Sequence, residues 1–426
     1  MNTKKNEHFI FSSYDTVELA EKYGTPLYVF SEEIIKDKCR IIKEDFLDKY
    51  RDTKAYYASK AFLTMAMCKI IEAEGLGLDV VSAGELYTAI KAKFPMNRIM
   101  FHGNNKSYEE LEMAINNDVG RIVIDHIDEI GMIEEIAARF DKVVKILIRI
   151  TPGVEGDTHK YISTGQKDSK FGISLEKDSL HQVVGTAMES KNIELKGFHF
   201  HIGSNLYEKE PFIKATEVVM GIYKKLKDDL GFVAEELNTG GGYGIHYTNG
   251  DKVKPLKYYT DGIMETVLKS CENLDLNIPR VMIEPGRWII GEAGITLYTV
   301  GTVKDIPNVR TYVSVDGGLS DNPRPALYGA RYDAIVANKF GVRPDRLTTI
   351  AGKCCESGDI LIWDLETPEI ERGDIIAVLS TGAYNFSMSN NYNKLLRPAV
   401  LLLSEEGERI IVERETYEDL LARERI

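Results

Sequence analysis

The stretch Gly77-Leu-Asp-Val-Val81, Ser82, Ala83-Gly-Glu-Leu-Tyr-Thr-Ala-Ile-Lys-Ala-Lys93, then Arg98-Ile-Met-Phe-His102 contains one full structural period. It opens with a short apolar run suited to a strand buried on both faces, passes through an amphipathic segment, and returns to a strand. The same alternation extends in both directions. Strands are expected at Thr53–Ala58, Gly77–Val81, Arg98–His102, Arg121–Asp125, Val143–Ile150, Leu195–Phe200, Glu236–Thr239 and Arg280–Ile283. Helices are expected at Ala83–Lys93, Ser107–Asn117, Ile127–Phe140, Lys209–Asp229 and Pro255–Asn273, the second opened by a capping box of Ser107 and Glu110. Eight such units predict a (β/α)8, TIM-like barrel; a doubly wound sheet usually stops at five or six strands.

Beyond about residue 290 the pattern changes to short alternating runs bounded by Gly, Pro, Asp and Asn: Ile295–Val303, Val309–Val315, Ile360–Asp364, Asp374–Leu379 and Ala399–Leu403. They predict an antiparallel β domain, which also takes in the N-terminal strand within Thr25–Phe30. The expected division is therefore residues 32–290 as the barrel, and 1–31 plus 291–426 as the β domain. The polar, glycine-bearing loop Thr151–Gly172 is long enough to read as a lid or substrate loop.

The 426 residues, 43% of them hydrophobic and 28% charged, suffice for a large core and rule out disorder as the main state. A formal charge of −13 argues against nucleic-acid or anionic-membrane partners, which need clustered Lys and Arg. No 18-residue uncharged apolar run or secretory h-region is visible, and five cysteines are too few and uneven for a disulfide framework. A cytoplasmic enzyme is expected.

Active sites of such barrels lie at the C-terminal strand ends, and the chemically unusual residues fall there. Lys60 follows strand one, Asp79 lies on strand two, His102 closes strand three, and His199 and His201 close strand six. Gly240-Gly241-Gly242 ends strand seven, and Glu284-Pro285-Gly286-Arg287 ends strand eight. Each has an ordinary reading and a chemical one. Lys60 is a solvated loop lysine, or an amine made nucleophilic by desolvation beside another cation. The glycines are a tight turn, or bare N–H groups for a phosphate, with Ser204 adding a hydroxyl. Glu284 is the partner of an arginine, or of a pyridinium N–H. His199 and His201 are a metal pair, or one of them lies flat on a cofactor ring.

Ten motifs in order resemble the pyridoxal-phosphate decarboxylases of the alanine racemase-like fold. They include Tyr57-Ala-Ser-Lys60-Ala, Asp79-Val-Val-Ser-Ala-Gly-Glu-Leu86, Phe101-His-Gly-Asn-Asn-Lys106, His199-Phe-His-Ile-Gly-Ser204 and Gly240-Gly-Gly-Tyr-Gly244. Glu284-Pro-Gly-Arg287, Asp316-Gly-Gly318, Arg324-Pro-Ala-Leu-Tyr328, Cys355-Glu-Ser-Gly-Asp359 and Gly382-Ala-Tyr384 complete the set. The resemblance implies pyridoxal 5′-phosphate as cofactor and no metal. It implies that Lys60 joins the cofactor aldehyde, His201 stacks on the ring and Glu284 meets the ring nitrogen. Ser204, Gly240, Gly241, Gly242, Pro285, Gly286 and Arg287 surround the phosphate end, with Tyr384 reaching the cofactor from the β domain. Cys355 is the implied proton donor, supplied by the partner subunit of a homodimer. Asn205 departs from the usual Gln, and Lys353-Cys354 from the residues usual before Cys355.

The resemblance also places Arg324 and Tyr328, with Arg287, at a distal carboxylate, Glu356 at a distal ammonium, and Tyr384 at the substrate. Two cations and an acid suit meso-2,6-diaminopimelate, decarboxylated to L-lysine and CO2 as the last step of lysine biosynthesis. They suit ornithine, arginine or carboxynorspermidine less well. The competing readings are a barrel metal hydrolase using His199 and His201, and a catalytically silent cofactor-binding protein. The ordinary reading of Arg324 is a surface residue fixed by Pro323 and Pro325.

Overall fold

The computed structural model describes residues 7–154, 169–175 and 177–426. The chain forms two compact units: Lys38–Gly244 with Val253–Trp288, and Met1–Asp37 with Ile245–Lys252 and Ile289–Ile426.

The first unit is a closed parallel barrel. Its strands are Thr53–Ala58, Gly77–Val80, Ile99–Phe101, Arg121–Ile124, Val144–Thr151, Ile193–His199, Glu236–Asn238 and Arg280–Ile283. Strand eight pairs with strand one, Ile283 opposite Ala55, and strand six pairs with both five and seven, so the ring has no edge. Helices Ala83–Lys91, Tyr108–Asn116, Asp128–Arg139, Glu210–Leu230 and Leu256–Leu274 match the amphipathic segments. The Ser107 capping box forms in both directions. Helices Met65–Ala73 and Lys177–Glu189 were not among the expected segments.

The barrel interior is stratified by the two-residue period of a strand. Tyr56, Met100, Val123, Leu147 and Met282 form an apolar layer. Two residues earlier come Lys54, Arg98, Arg121, Lys145 and Arg280. Arg121 grips Glu236 through Nε and Nη2 (2.8 and 2.6 Å), and Arg280 joins it at 3.2 Å. Two residues later come Ala58, His102, Asp125, Arg149 and Glu284. The apolar layer is thus a floor, and chemistry-bearing side chains stand on its C-terminal side. Of the loop Thr151–Gly172, residues 155–168 lie outside the described residues. Its far end is tied back by Gly172 N donating to Asp125 Oδ2 at 2.9 Å.

The second unit is a β structure centred on Leu27–Ser31, which lies between Gly294–Ile306 (antiparallel) and Ala399–Ser404 (parallel). Leu27, Val29, Ile295, Leu297, Ala377, Leu401 and Leu403 form its core. The sheet is antiparallel-rich but not purely so. Arg310–Val315 also pairs in parallel with Arg346–Ala351, the intervening chain being long enough for a crossover.

Candidate active site

Glu284 ends strand eight inside the barrel and is 7% exposed. It has no arginine partner among the described residues. Oε1 accepts from His102 Nε2 at 2.8 Å and from Asn238 Nδ2 at 2.7 Å, and Oε2 accepts from His199 Nε2 at 3.0 Å. An ionised carboxylate only accepts, so both Nε2 atoms carry hydrogen. Burial alone would raise the Glu284 pKa, but the two histidines outweigh it and hold the carboxyl well below its usual range. Burial works against a charged His102 as well, yet Asp79 and Glu284 together raise its pKa. His199 is pulled by burial down to about 4 and is neutral.

Asp79 lies 3.7 Å from His102 Nε2, with Oδ1 buried and without a hydrogen bond. Burial pushes its pKa up to about 6, against the pull of His102 and Lys60. Asp79, His102 and His199 were visible as strand or strand-end positions, but their gathering around Glu284 was not, and Asn238 had not been singled out. His102, His199 and Glu284 could also offer three ligand atoms to a metal, whereas His201 does not belong to that trio. In this structure both imidazoles instead give their Nε2 hydrogens to the carboxylate.

Lys60 occupies the 3-10 turn Ser59–Ala61 just past strand one and is exposed. Of its two readings, this exposure matches the solvated loop lysine. The acids Asp79 and Glu85 nonetheless feel its charge. His201, half-buried, feels it too. Burial, Lys60 and Arg149 together hold that imidazole neutral, well below its usual pKa.

Arg287 is buried and donates to Ser204 Oγ from Nη2 (2.8 Å) and Nε (3.3 Å). The glycine run has a structural requirement of its own. Gly240 and Gly242 have φ of +67° and +116°, and a Cβ on Gly241 would strike the carbonyl oxygen of Glu284. Pro285 and Gly286 are buried, and a Cβ on Gly286 would come within 2.8 Å of Ala58 Cβ. Lys106, from the strand-three motif, is structural. It donates to Gly103 O (2.6 Å) and Val123 O (2.8 Å) and pairs with Glu129 at 2.7 Å.

The barrel residues fit a phosphorylated pyridine aldehyde. Glu284 Oε2 carries one donor where a carboxylate oxygen takes about two, which leaves room for a ring N–H. Lys60 supplies an accessible amine, and Ser204 and Arg287 offer a hydroxyl and a guanidinium to a phosphate.

The other expected residues lie in the second unit. Arg324 and Tyr328 open and close the short helix Arg324–Tyr328, one turn apart. Arg324 is 6% exposed, not a surface residue. Its guanidinium faces the ring of Tyr384, 5.7 Å from the centroid. Tyr384 has φ +73°, a left-handed conformation costly for a bulky residue and concentrated at functional sites. Cys355 is exposed, its N–H donating to Asn393 Oδ1 at 2.7 Å, and Glu356 is exposed beside it. Cys354 is buried, and burial pushes its thiol up to about 11. Of the two thiols, Cys355 is the accessible one.

The family model "Pyridoxal-dependent decarboxylase, pyridoxal binding domain" matches residues 33–291. The diaminopimelate decarboxylase of Bacillus subtilis (strain 168) is 47% identical over 414 residues, covering 97% of this chain and 94% of the relative. That of Bacillus methanolicus is 48% identical over 412 residues, covering 96% and 95%. The crystal structure of diaminopimelate decarboxylase from M. jannaschii in co-complex with L-lysine superimposes with a TM-score of 0.93 at 38% identity, covering 99% of this chain and 97% of that one.

Proposed function

Since the chain belongs to the pyridoxal-dependent decarboxylases, we propose that it removes one carboxylate of meso-2,6-diaminopimelate, giving L-lysine and CO2. The observation that carries the reading is Glu284, held ionised on the barrel floor by three donors with one acceptor position left. Pyridoxal 5′-phosphate, when bound, supplies the electron sink for the pair that CO2 leaves behind. Lys60 anchors the aldehyde through its amine, and Glu284 keeps a proton on the ring nitrogen. His201, neutral, would face the ring. Ser204, Gly240, Gly241, Gly242, Gly286 and Arg287 take the phosphate, with Pro285 setting the turn.

Arg324, Tyr328 and Arg287 bind the distal carboxylate, Glu356 the distal ammonium, and Tyr384 reaches both cofactor and substrate. The Sγ–H of Cys355 gives its proton to the carbon that has lost CO2. We place that thiol and Glu356 in the site of a partner subunit, so the active form is a homodimer. Their exposure in the single chain supports this. No helix among the described residues is long and apolar enough to cross a membrane. All five cysteines are free thiols, which fits a reducing, cytoplasmic setting.

The deciding experiment is CO2 release by purified holoenzyme from meso-diaminopimelate and from ornithine in parallel. Release from the first is expected, and release from ornithine alone would overturn the substrate assignment.

A further inference from the structure

Arg324 is a buried cation. Among the described residues no carboxylate pairs with it. Its neighbours are tyrosines. Nη1 donates to Tyr247 Oη at 3.1 Å and to Tyr332 Oη at 2.5 Å. The guanidinium lies 5.3 Å from the Tyr247 ring centroid and 5.8 Å from that of Tyr332. The two rings meet edge to face, 5.3 Å apart at 88°. Nε is buried and has no hydrogen-bond partner.

An unpaired buried charge is costly, and the common remedy is an acid. An acid here would neutralise the guanidinium and compete with any incoming carboxylate. Tyrosine hydroxyls and ring faces stabilise a cation while leaving its net charge intact. They also orient it. With Nη1 held by two hydroxyls, the side of the guanidinium bearing Nε and Nη2 is left, and these two N–H groups match a carboxylate in a bidentate fork.

We infer that Tyr247 and Tyr332 are specificity-determining positioning residues, which hold Arg324 charged and turned so that its Nε–Nη2 side receives the distal carboxylate of the substrate. The inference rests on the reading of Arg324 given above. It carries a consequence for the product. Decarboxylation removes one carboxylate of the diamino dicarboxylate, so L-lysine keeps the other and leans on the same arginine. Cadaverine, which has neither carboxylate, does not.

The test uses holoenzyme with Tyr247→Phe and Tyr332→Phe, singly and together, beside Arg324→Met. KM and kcat for meso-diaminopimelate and inhibition constants for L-lysine and cadaverine are measured. Each tyrosine variant is expected to raise KM and the L-lysine constant about three- to tenfold, the worth of one hydrogen bond. The kcat should stay within about twofold, and the cadaverine constant should not move. Phenylalanine keeps the ring, so folding is preserved and only the hydroxyl is removed. If Arg324→Met raises KM while the tyrosine variants leave every constant unchanged, the positioning role is wrong and the arginine assignment stands. If kcat and both inhibition constants change together, the tyrosines are merely structural and the inference fails. If Arg324→Met leaves KM unchanged, the reading beneath it falls as well.

Discussion

Nε2 of His102 stands 2.8 Å from Oε1 of Glu284 and 3.7 Å from Oδ1 of Asp79, so one imidazole faces two buried carboxylates. It is raised in pKa by those acids and lowers theirs in return. His199 and Asn238 complete the set of donors to Glu284.

Replacing His102 with Asn removes the cation and keeps a hydrogen-bond donor. Both carboxylates then become harder to ionise, because burial is no longer opposed by a positive neighbour. The acid limb of the kcat/KM profile is expected to move to higher pH. An unmoved limb, measured between pH 5 and 8, would show that His102 does not govern the ionisation of Glu284 or Asp79.

His199 makes the folded state sensitive to acid. Folded, it is pulled down to about 4 by burial; unfolded, it takes a proton near 6.5. Between those values the unfolded chain binds more protons, so stability falls as pH falls from about 6.5 to about 4, by about 3 kcal/mol in all. His199→Gln keeps a donor toward Glu284 and should flatten that part of the dependence. Urea midpoints at pH 7 and pH 5 decide it: an equal drop in both proteins would refute the assignment.

Lys60 is exposed, and its loss should leave the fold alone. Lys60→Ala is expected to keep its unfolding free energy within about 0.5 kcal/mol, as for surface substitutions generally. Borohydride treatment of the cofactor-loaded variant, followed by peptide mass mapping, should find no covalently fixed cofactor. Retained label would place the anchoring amine elsewhere.

Of the adjacent thiols, Cys355→Ala should lower turnover far more than cofactor binding, whereas Cys354→Ala should act mainly on stability, since that side chain is buried. Heterodimers of Lys60→Ala and Cys355→Ala chains should regain part of the activity lost by each homodimer. No recovery in a verified heterodimer would mean that the site is not shared between subunits.

The barrel was legible because its cause is local. A strand buried on both faces must be apolar, and runs such as Arg121–Ile124 and Arg280–Ile283 announce themselves by composition. Helix Met65–Ala73 and strand Arg346–Ala351 escaped because their weak local patterns are settled by tertiary neighbours. Glu284 could be named because a carboxylate closing an apolar strand is costly without a partner, Lys60 because it falls on the same barrel rim, and Arg287 and Arg324 through the family resemblance. What could not be read was company. His102 was a strand-end residue with no assigned role, Tyr247 and Tyr332 carried no signal, and nothing local showed that Arg324 would be buried among them.

The order of residue types alone thus determined that eight strands would close into a ring with its unusual side chains at their C-terminal ends, because alternation and burial act over a few neighbouring residues. Only the tertiary structure decided that Glu284 is held by two imidazoles and an amide instead of an arginine, and that Arg324 is buried among tyrosines. Those contacts join positions as far apart as His102 and Glu284, and their energies depend on distance and burial, which no local pattern encodes.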